Sequence, residues 1–441
     1  RHTPCFLCFS RVVYSLVYSK FMPNSNSLIK AVEKRLAKRR LFYVCRDIER
    51  AAGLRAKNYF VIANHTNYAA KLARQDSNII LIKEKNQLDT QELLKHPRVE
   101  KIIRKNDFVL VFKNNSIIED ACQKHGWHLL NPGAKLADKI ESKISQIEWL
   151  GHLAKYLPKH RVDICQNIKW PGKPFILQYN HAHTGSGTLF INTKKRLNEL
   201  AIKFPKRPVR ISQYIEGPAF TNNNVVWDDK ILMGNINYQI TGLAPFTDNK
   251  FATIGNDWML PSKVLSTKQI KQYKQIVTEI GRKLSKDGWK GLFGIDIIMD
   301  EKNGRLYLLE INARQPASTT FESQLQKSKV QSLKHAPYRT EGSGSRSKVS
   351  TFEAHLASLL DLTNKEYKLI SVHDGAQIIQ RVTKKKIKIP KIKNKSILNI
   401  IAYNNTAIGA DLTRIQCSHG IMQTANTFNK IGKEIRSALK K

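Results

Sequence analysis

Gly291-Leu-Phe-Gly-Ile-Asp-Ile-Ile-Met299, a short turn, then Leu308-Leu-Glu-Ile-Asn-Ala-Arg314 decide how this chain is read. The two segments read as the strands of one hairpin. The first is apolar apart from Asp296, and the second is apolar apart from Glu310, Asn312 and Arg314. Side chains two apart on a strand share a face, so Glu310, Asn312 and Arg314 point the same way. Polar groups on a strand otherwise made for burial are costly unless something pairs with them. Hard oxygen ligands beside an arginine suit Mg²⁺ and a polyphosphate, because Mg²⁺ takes a few carboxylate or amide oxygens together with phosphate oxygens.

The turn sharpens this reading. A two-residue loop, Asn303-Gly304, pairs Lys302 with Arg305 and leaves Asp296 on the opposite face from Glu310. A three-residue loop, Lys302-Asn303-Gly304, with Gly304 in the left-handed region, sets Asp296 directly across from Glu310. The three-residue form is expected. The structural alternative is an edge hairpin with a solvated polar face.

Three further blocks lie upstream. Asn131-Pro-Gly-Ala-Lys-Leu-Ala-Asp-Lys139-Ile-Glu-Ser-Lys143 reads as a turn followed by an amphipathic helix. Lys173-Pro-Phe-Ile-Leu-Gln178 is a buried strand running into a small-residue loop, Thr184-Gly-Ser-Gly-Thr188, and then another strand. Backbone N–H groups in such a loop can wrap phosphate oxygens, because Gly185 and Gly187 have no side chain in the way. Taken alone, this loop also fits a plain hairpin turn. No Gly-Lys-Ser/Thr sequence of the P-loop type occurs. Val209-Arg-Ile-Ser-Gln-Tyr-Ile-Glu-Gly217-Pro reads as a strand ended by Gly-Pro.

Taken in this order, the four blocks resemble the ATP-grasp superfamily over roughly half the chain. That family's metal hairpin has an acid on one strand and Glu-x-Asn-x-Arg on the next, which here are Asp296, then Glu310, Asn312 and Arg314. The resemblance implies that Asp296, Glu310 and Asn312 are metal ligands and that Arg314 stabilises the transferring phosphoryl group. It implies nucleotide binding by Lys139, Gln178, Gly185, Ser186, Gly187 and Thr188 at the phosphates, and by Gln213, Tyr214 and Ile215 at adenine. Two positions depart from the family. The usual phosphate lysine at the end of the strand is Gln178, with Lys139, Lys143 or Lys173 as compensating cations, and a frequent acid is Ser212. Glutamine can donate a hydrogen bond but adds no charge.

The implied fold is α/β and α+β. A Rossmann-like pre-ATP-grasp domain over 22–137 is followed by a two-lobed ATP-grasp domain over 138–361, then a small, basic, β-rich C-terminal segment over 362–441. The implied reaction is that of a carboxylate–amine ligase, in which ATP activates a carboxylate as an acyl phosphate that an amine attacks. ATP with Mg²⁺ or Mn²⁺ are the implied cofactors, and an unidentified carboxylate and amine are the partners. A biotin-carboxylase-like enzyme, a non-catalytic ATP-binding regulator and a basic polyanion-binding protein are the alternatives.

Length and composition agree. A chain of 441 residues can hold two or three domains with a sizeable core. The formal net charge of +39 suits an anionic partner. Its lysine excess accompanies much Ile and Asn, however, so it reads as background composition, and nucleic acid is not an expected partner. Six cysteines are scattered; Cys5-Phe-Leu-Cys8 has no second pair to complete a zinc site, and the others lie far apart. A reducing, cytoplasmic setting is expected, with no membrane span and a homodimer as one possible state. Arg1–Phe21 reads as a leader or read-through preceding Met22.

Along the chain, helix is expected from about Lys30 through Ala52, then a strand at Tyr59–His65 with Asn64-His65 at its ligand edge. Further strands are expected at Ile79–Ile82 and Phe108–Phe112. A helix is expected over Thr267–Asp287 and another over Ser350–Leu360, with a mobile loop over 327–349 between the metal hairpin and the second helix. Ala376–Arg381 reads as a strand and Lys384–Lys395 as a basic run.

Overall fold

Leu41-Phe-Tyr-Val-Cys45 is the central strand, β1, of a parallel sheet, and all five of its side chains are buried. Here the expectation of helix through Ala52 fails: the helix Ser27–Arg35 ends early and the chain turns into β1. The run is apolar throughout, so it carries no period. Burial on both faces, rather than amphipathicity, makes it a strand. The computed structural model describes residues 27–180, 187–334, 348–364, 366–384 and 392–439. The Arg1–Phe21 leader, Cys5, Cys8, Gly185, Ser186 and parts of the 327–349 and 384–395 runs lie outside the described residues.

Strands β2 (Tyr59–Asn64), β3 (Ile79–Ile82), β4 (Phe108–Val111) and β5 (His128–Leu129) complete this sheet in the order β3-β2-β1-β4-β5, with every pairing parallel. This is the expected doubly wound, Rossmann-like layout, with ligand-facing loops at the carboxyl ends of the strands. Asn64 at that edge is a structural clamp. Its amide donates to the carbonyls of Arg46 and Leu88 and accepts from the Leu88 N–H. His65 beside it is exposed.

A second, antiparallel sheet contains β6 (His160–Ile164), β7 (Phe175–Tyr179), β8 (Thr188–Ile191) and β9 (Pro208–Gln213) in the order β6-β9-β7-β8. Leu177, Ile191, Leu197 and Val209 form its core beneath the helix Lys194–Lys203. The main sheet then begins with β10 (Ala219–Trp227), β11 (Lys230–Leu232), β12 (Asn237–Thr241) and β13 (Thr253–Asp257), and continues with β14 (Gly291–Met299) and β15 (Leu306–Asn312). The helix Thr267–Lys286 packs Tyr273, Ile276, Ile280 and Leu284 into the core of this sheet. It begins with a capping box between Ser266 and Gln269.

The C-terminal β-rich segment is present and is annexed to the main sheet. After the short pair β16 (Lys348–Val349) and β17 (Lys368–Leu369), strands β18 (Ala376–Arg381), β19 (Ile397–Ala402) and β20 (Asp411–Cys417) extend it as β13-β18-β20-β19. The apolar residues Ile378, Ile415 and Cys417 are thereby buried in the central core. The expected loop from 327 is helical at its start, because the helix Thr319–Lys334 runs through it. The helix Thr351–Leu359 then follows, capped by Ser350.

The β14–β15 hairpin reaches the expected pairing by a different route. Asp300 N–H donates to the Arg305 carbonyl and Gly304 N–H to the Asp300 carbonyl, so the turn is one residue longer than expected. The Asp300 carboxylate accepts from the Lys302 N–H and the Asn303 amide, which stabilises the longer turn. Gly304 is left-handed, at φ 69°. That turn alone pairs Ile297 with Leu308 and shifts Asp296 out of register with Glu310. A bulge on β15, whose extra residue is Leu309 opposite the Asp296–Ile297 step of β14, restores Asp296 opposite Glu310.

Among the described residues no helix is long and apolar enough to cross a membrane. The two antiparallel sheets meet at Glu216-Gly217-Pro218, where the carbonyl of Glu216 accepts from Glu301 N–H and that of Pro218 from Met299 N–H. Gly217 is at φ 151°, and a Cβ there would lie 1.9 Å from the Met299 carbonyl oxygen. Gly217→Ala is therefore expected to destabilise the protein by about 2 kcal/mol, read as a lowered thermal midpoint; an unchanged midpoint would contradict this packing of the junction.

Candidate active site

Asp296 and Glu310 are register partners on adjacent antiparallel strands, with Asn312 paired to Gly294 two residues further along. Directly opposed side chains on one face lie close together, so two carboxylates here repel each other. Burial raises the Asp296 pKa and the charge on Glu310 raises it further, while hydrogen bonds from Thr221 and Gln239 pull it down. The net shift is upward from the ordinary aspartate value. A divalent cation fits this pair, because it offsets the repulsion and meets the hard oxygens of Asp296, Glu310 and Asn312. Among the described residues no three His, Cys, Asp or Glu side chains cluster as a complete metal cage.

Cations ring the acids. The Lys143 ammonium is 3.1 Å from Glu310 Oε1, and the Lys143 side chain is buried. Its segment is tied to the end of β7: Lys143 N–H donates to the Asn180 carbonyl and Ile144 N–H to the Asn180 side-chain oxygen. Arg314 lies just past β15 and contacts Glu141 Oε1 at 2.5 Å. Glu141 Oε2 in turn holds Lys113 at 2.6 Å. Burial opposes the charge of Glu141, but Arg314 and Lys113 outweigh it and hold its pKa below the usual glutamate value. Burial likewise works against the charged Arg314, and Glu141 with Glu310 reverses that effect.

The next residue after Arg314 fixes the site to the parallel sheet. Gln315 accepts from the Tyr43 hydroxyl at 2.8 Å and donates to the Arg50 carbonyl at 2.8 Å. Tyr43 is the middle residue of β1 and Lys113 follows β4, so the first sheet is tied to Arg314 through Glu141 and to the residue after it directly.

The remaining expected residues fall into two groups. Gln178 on β7 and Thr188 on β8 are register partners joined by a hydrogen bond of 3.1 Å, and Gly187 precedes Thr188. Gln213 ends β9, Tyr214 follows it and Ile215 is buried. The half-buried rings of Phe190 and Phe251 extend the Tyr214 surface, with centroids 4.7 Å apart for Phe190–Tyr214 and 5.5 Å for Phe190–Phe251. Lys139 is placed differently from the expected helix start. It sits in the last turn of the helix Ala134–Glu141 and is exposed. Lys173 is also exposed, so Lys143 is the one of these lysines brought against the acids.

Sequence reasoning missed three contributors: Glu141, Lys113 and Arg210. Arg210 lies opposite Gln178 in the β7–β9 register and is 3 % exposed. A charged residue on the buried side of an otherwise apolar strand, Val209-Arg-Ile, was the available signal.

Residues 140–318 match the ATP-grasp domain family. The whole chain shares its fold with carboxyaminoimidazole ribonucleotide synthase from Aspergillus clavatus complexed with ATP: TM-score 0.57, 16% identity, 91% of this chain and 97% of that one. It is similar to an L-amino acid ligase from Bacillus licheniformis, with TM-score 0.55, 12% identity and 91% and 97% coverage. It is also similar to phosphoribosylamine–glycine ligase from Thermotoga maritima, with TM-score 0.55, 12% identity and 91% and 96% coverage. Among curated proteins, none matches the sequence. The stretch that matches the ATP-grasp domain family follows the parallel, Rossmann-like sheet.

Asp296 carries a buried charge that faces another of the same sign. Asp296→Asn is expected to stabilise the metal-free protein at neutral pH by on the order of 1 kcal/mol and to abolish the stabilisation given by added Mg²⁺ with nucleotide. Thermal melts with and without Mg·ADP check both halves, and a variant that still responds to Mg·ADP like the parent would contradict the assignment.

Proposed function

We propose that this ATP-grasp protein is an ATP- and Mg²⁺-dependent ligase that activates a carboxylate as an acyl phosphate and joins it to an amine. The observation that carries the reading is the direct opposition of Asp296 and Glu310, with Arg314 beyond them and Lys143 against Glu310. The family match and the fold shared with two carbon–nitrogen ligases support it.

In the first step a carboxylate oxygen attacks the γ-phosphorus, the bond to the β–γ bridging oxygen breaks, and ADP leaves. In the second an amine nitrogen attacks the acyl carbon, the bond to the phosphate oxygen breaks, and inorganic phosphate leaves as the nitrogen gives up a proton. Both steps concentrate negative charge, so their barriers fall where fixed cations are already in place. Arg314, oriented by Glu141, faces that charge, and Lys143 balances Glu310 when the site is empty of nucleotide. Asp296, Glu310 and Asn312 would hold Mg²⁺, which neutralises the β- and γ-phosphates. Gln178 and Thr188 line the phosphate side. Tyr214 and Ile215, with Phe190 beside Tyr214, offer an apolar surface for adenine at the junction of the sheets. The carboxyl edge of the first sheet, which reaches the site through Lys113 and Gln315, is where the carboxylate or amine is read. The four described cysteines are all buried and unpaired, which supports a reducing compartment.

ADP and phosphate release from Mg·ATP, assayed with the chain from Met22 against pooled amino acids and small carboxylates, tests the reading. Release is expected to depend on particular pools. Glu310→Ala is expected to lower it at least about 100-fold with the fold retained by circular dichroism; full release by that variant would sink the assignment.

A further inference from the structure

Where the family resemblance implies a phosphate lysine this chain has Gln178, and a cation lies directly across the strand pair from it. Arg210, directly across from Gln178 on β9, directs Nε at 2.9 Å and Nη2 at 2.6 Å to the single oxygen Gln178 Oε1. Its Nη1 donates to Gln146 Oε1 at 3.2 Å, and Nη2 also approaches the carbonyl of Leu309, the extra residue of the bulge, at 3.5 Å. All three acceptors are neutral. Among the described residues, the guanidinium forms no ion pair within 4 Å, and the carboxylate that bears on it, Glu310, is held by Lys143. Arg414 shows what a buried structural arginine looks like in this molecule. It is as deeply buried and has Asp411 at 3.3 Å and Glu49 at 4.0 Å. Burial without a counter-ion pulls the Arg210 pKa down to about 10, whereas at Arg414 the same burial is outweighed by Tyr403, Asp411 and Glu49, which drive its pKa up. A buried charge with only neutral partners is costly, and an anion is what offsets it.

We propose that Arg210 is the positioning cation of the phosphate site, supplying from β9 the charge that a lysine would supply from β7. By gripping the Gln178 oxygen it forces the carboxamide nitrogen toward Thr188, where Gln178 Nε2 meets the hydroxyl. The site then presents an oriented N–H donor backed by a full positive charge. The ligand class is the di- or triphosphate of a nucleoside, so this assignment rests on the ATP reading above. A lysine at 178 beside Arg210 would bring two cations together, which explains why this chain carries an amide there.

Calorimetric titration with Mg·ADP and with adenosine tests it. The parent chain must bind Mg·ADP; if it does not, the nucleotide reading falls first and this assignment with it. Arg210→Met is expected to weaken Mg·ADP binding roughly tenfold or more while changing adenosine binding little, the size of a lost charge-assisted hydrogen bond. Gln178→Glu keeps Arg210 and the local shape and gives it a counter-ion, so it answers the question even if Arg210→Met fails to fold. It is expected to lose Mg·ADP binding to a similar degree with an equal or higher melting midpoint. The exchange Arg210→Met with Gln178→Lys is expected to recover Mg·ADP binding toward the parent value. Undiminished Mg·ADP binding by Gln178→Glu, or equal loss of adenosine binding in Arg210→Met, would overturn the proposal by reducing Arg210 to a packing residue.

Discussion

Two carboxylates facing each other across one antiparallel pair are the constraint on which the rest of the molecule depends. Asp296 and Glu310 would separate onto opposite faces if the hairpin register slipped by one residue. The turn at Glu301–Gly304 introduces such a slip, and the bulge at Leu309 removes it. The bulge has a second consequence, since the Leu309 carbonyl points to Arg210. One backbone irregularity thus sets the acid pair and helps to seat a cation behind the phosphate side.

Holding like charges together costs stability that other contacts must offset. Lys143, Arg314 and Arg210 come from three different segments, each fixed independently: Lys143 through Asn180, Arg314 through Glu141 and Arg210 through Gln178 and Gln146. Lys113 and Gln315 tie this arrangement to the parallel sheet. Separate anchoring matters for catalysis, because charges that need not reorganise stabilise a transition state more than mobile ones do. It also ties Arg314 to the first sheet, while Gln178 and Thr188 are linked to β15 through Arg210.

The hairpin, the parallel sheet and the Gly-Pro junction were legible because each depends on a local pattern: strand alternation, apolar runs, a turn signature. β1 was not, since Leu41–Cys45 is apolar on both faces and shows no period that separates strand from helix. The turn length was misread because Asp300 contributes side-chain bonds that the Asn303-Gly304 pair does not reveal. At the site, Asp296, Glu310, Asn312 and Arg314 could be found from spacing. Lys113 could not, because what ties it to the site is Glu141, 28 residues downstream; Arg210 left a signal, a charge in an apolar buried strand, but not the identity of its partner. That this cation stands beside Gln178 was hidden for the same reason, since it lies 32 residues downstream.

A crystal structure of the chain with Mn²⁺ and ADP, with the metal located by its anomalous signal, tests the account most directly. Mn²⁺ is expected between Asp296 and Glu310, with the ADP phosphates beside Gln178 and Thr188. A metal or nucleotide bound elsewhere, with Lys143 still paired to Glu310, would contradict it.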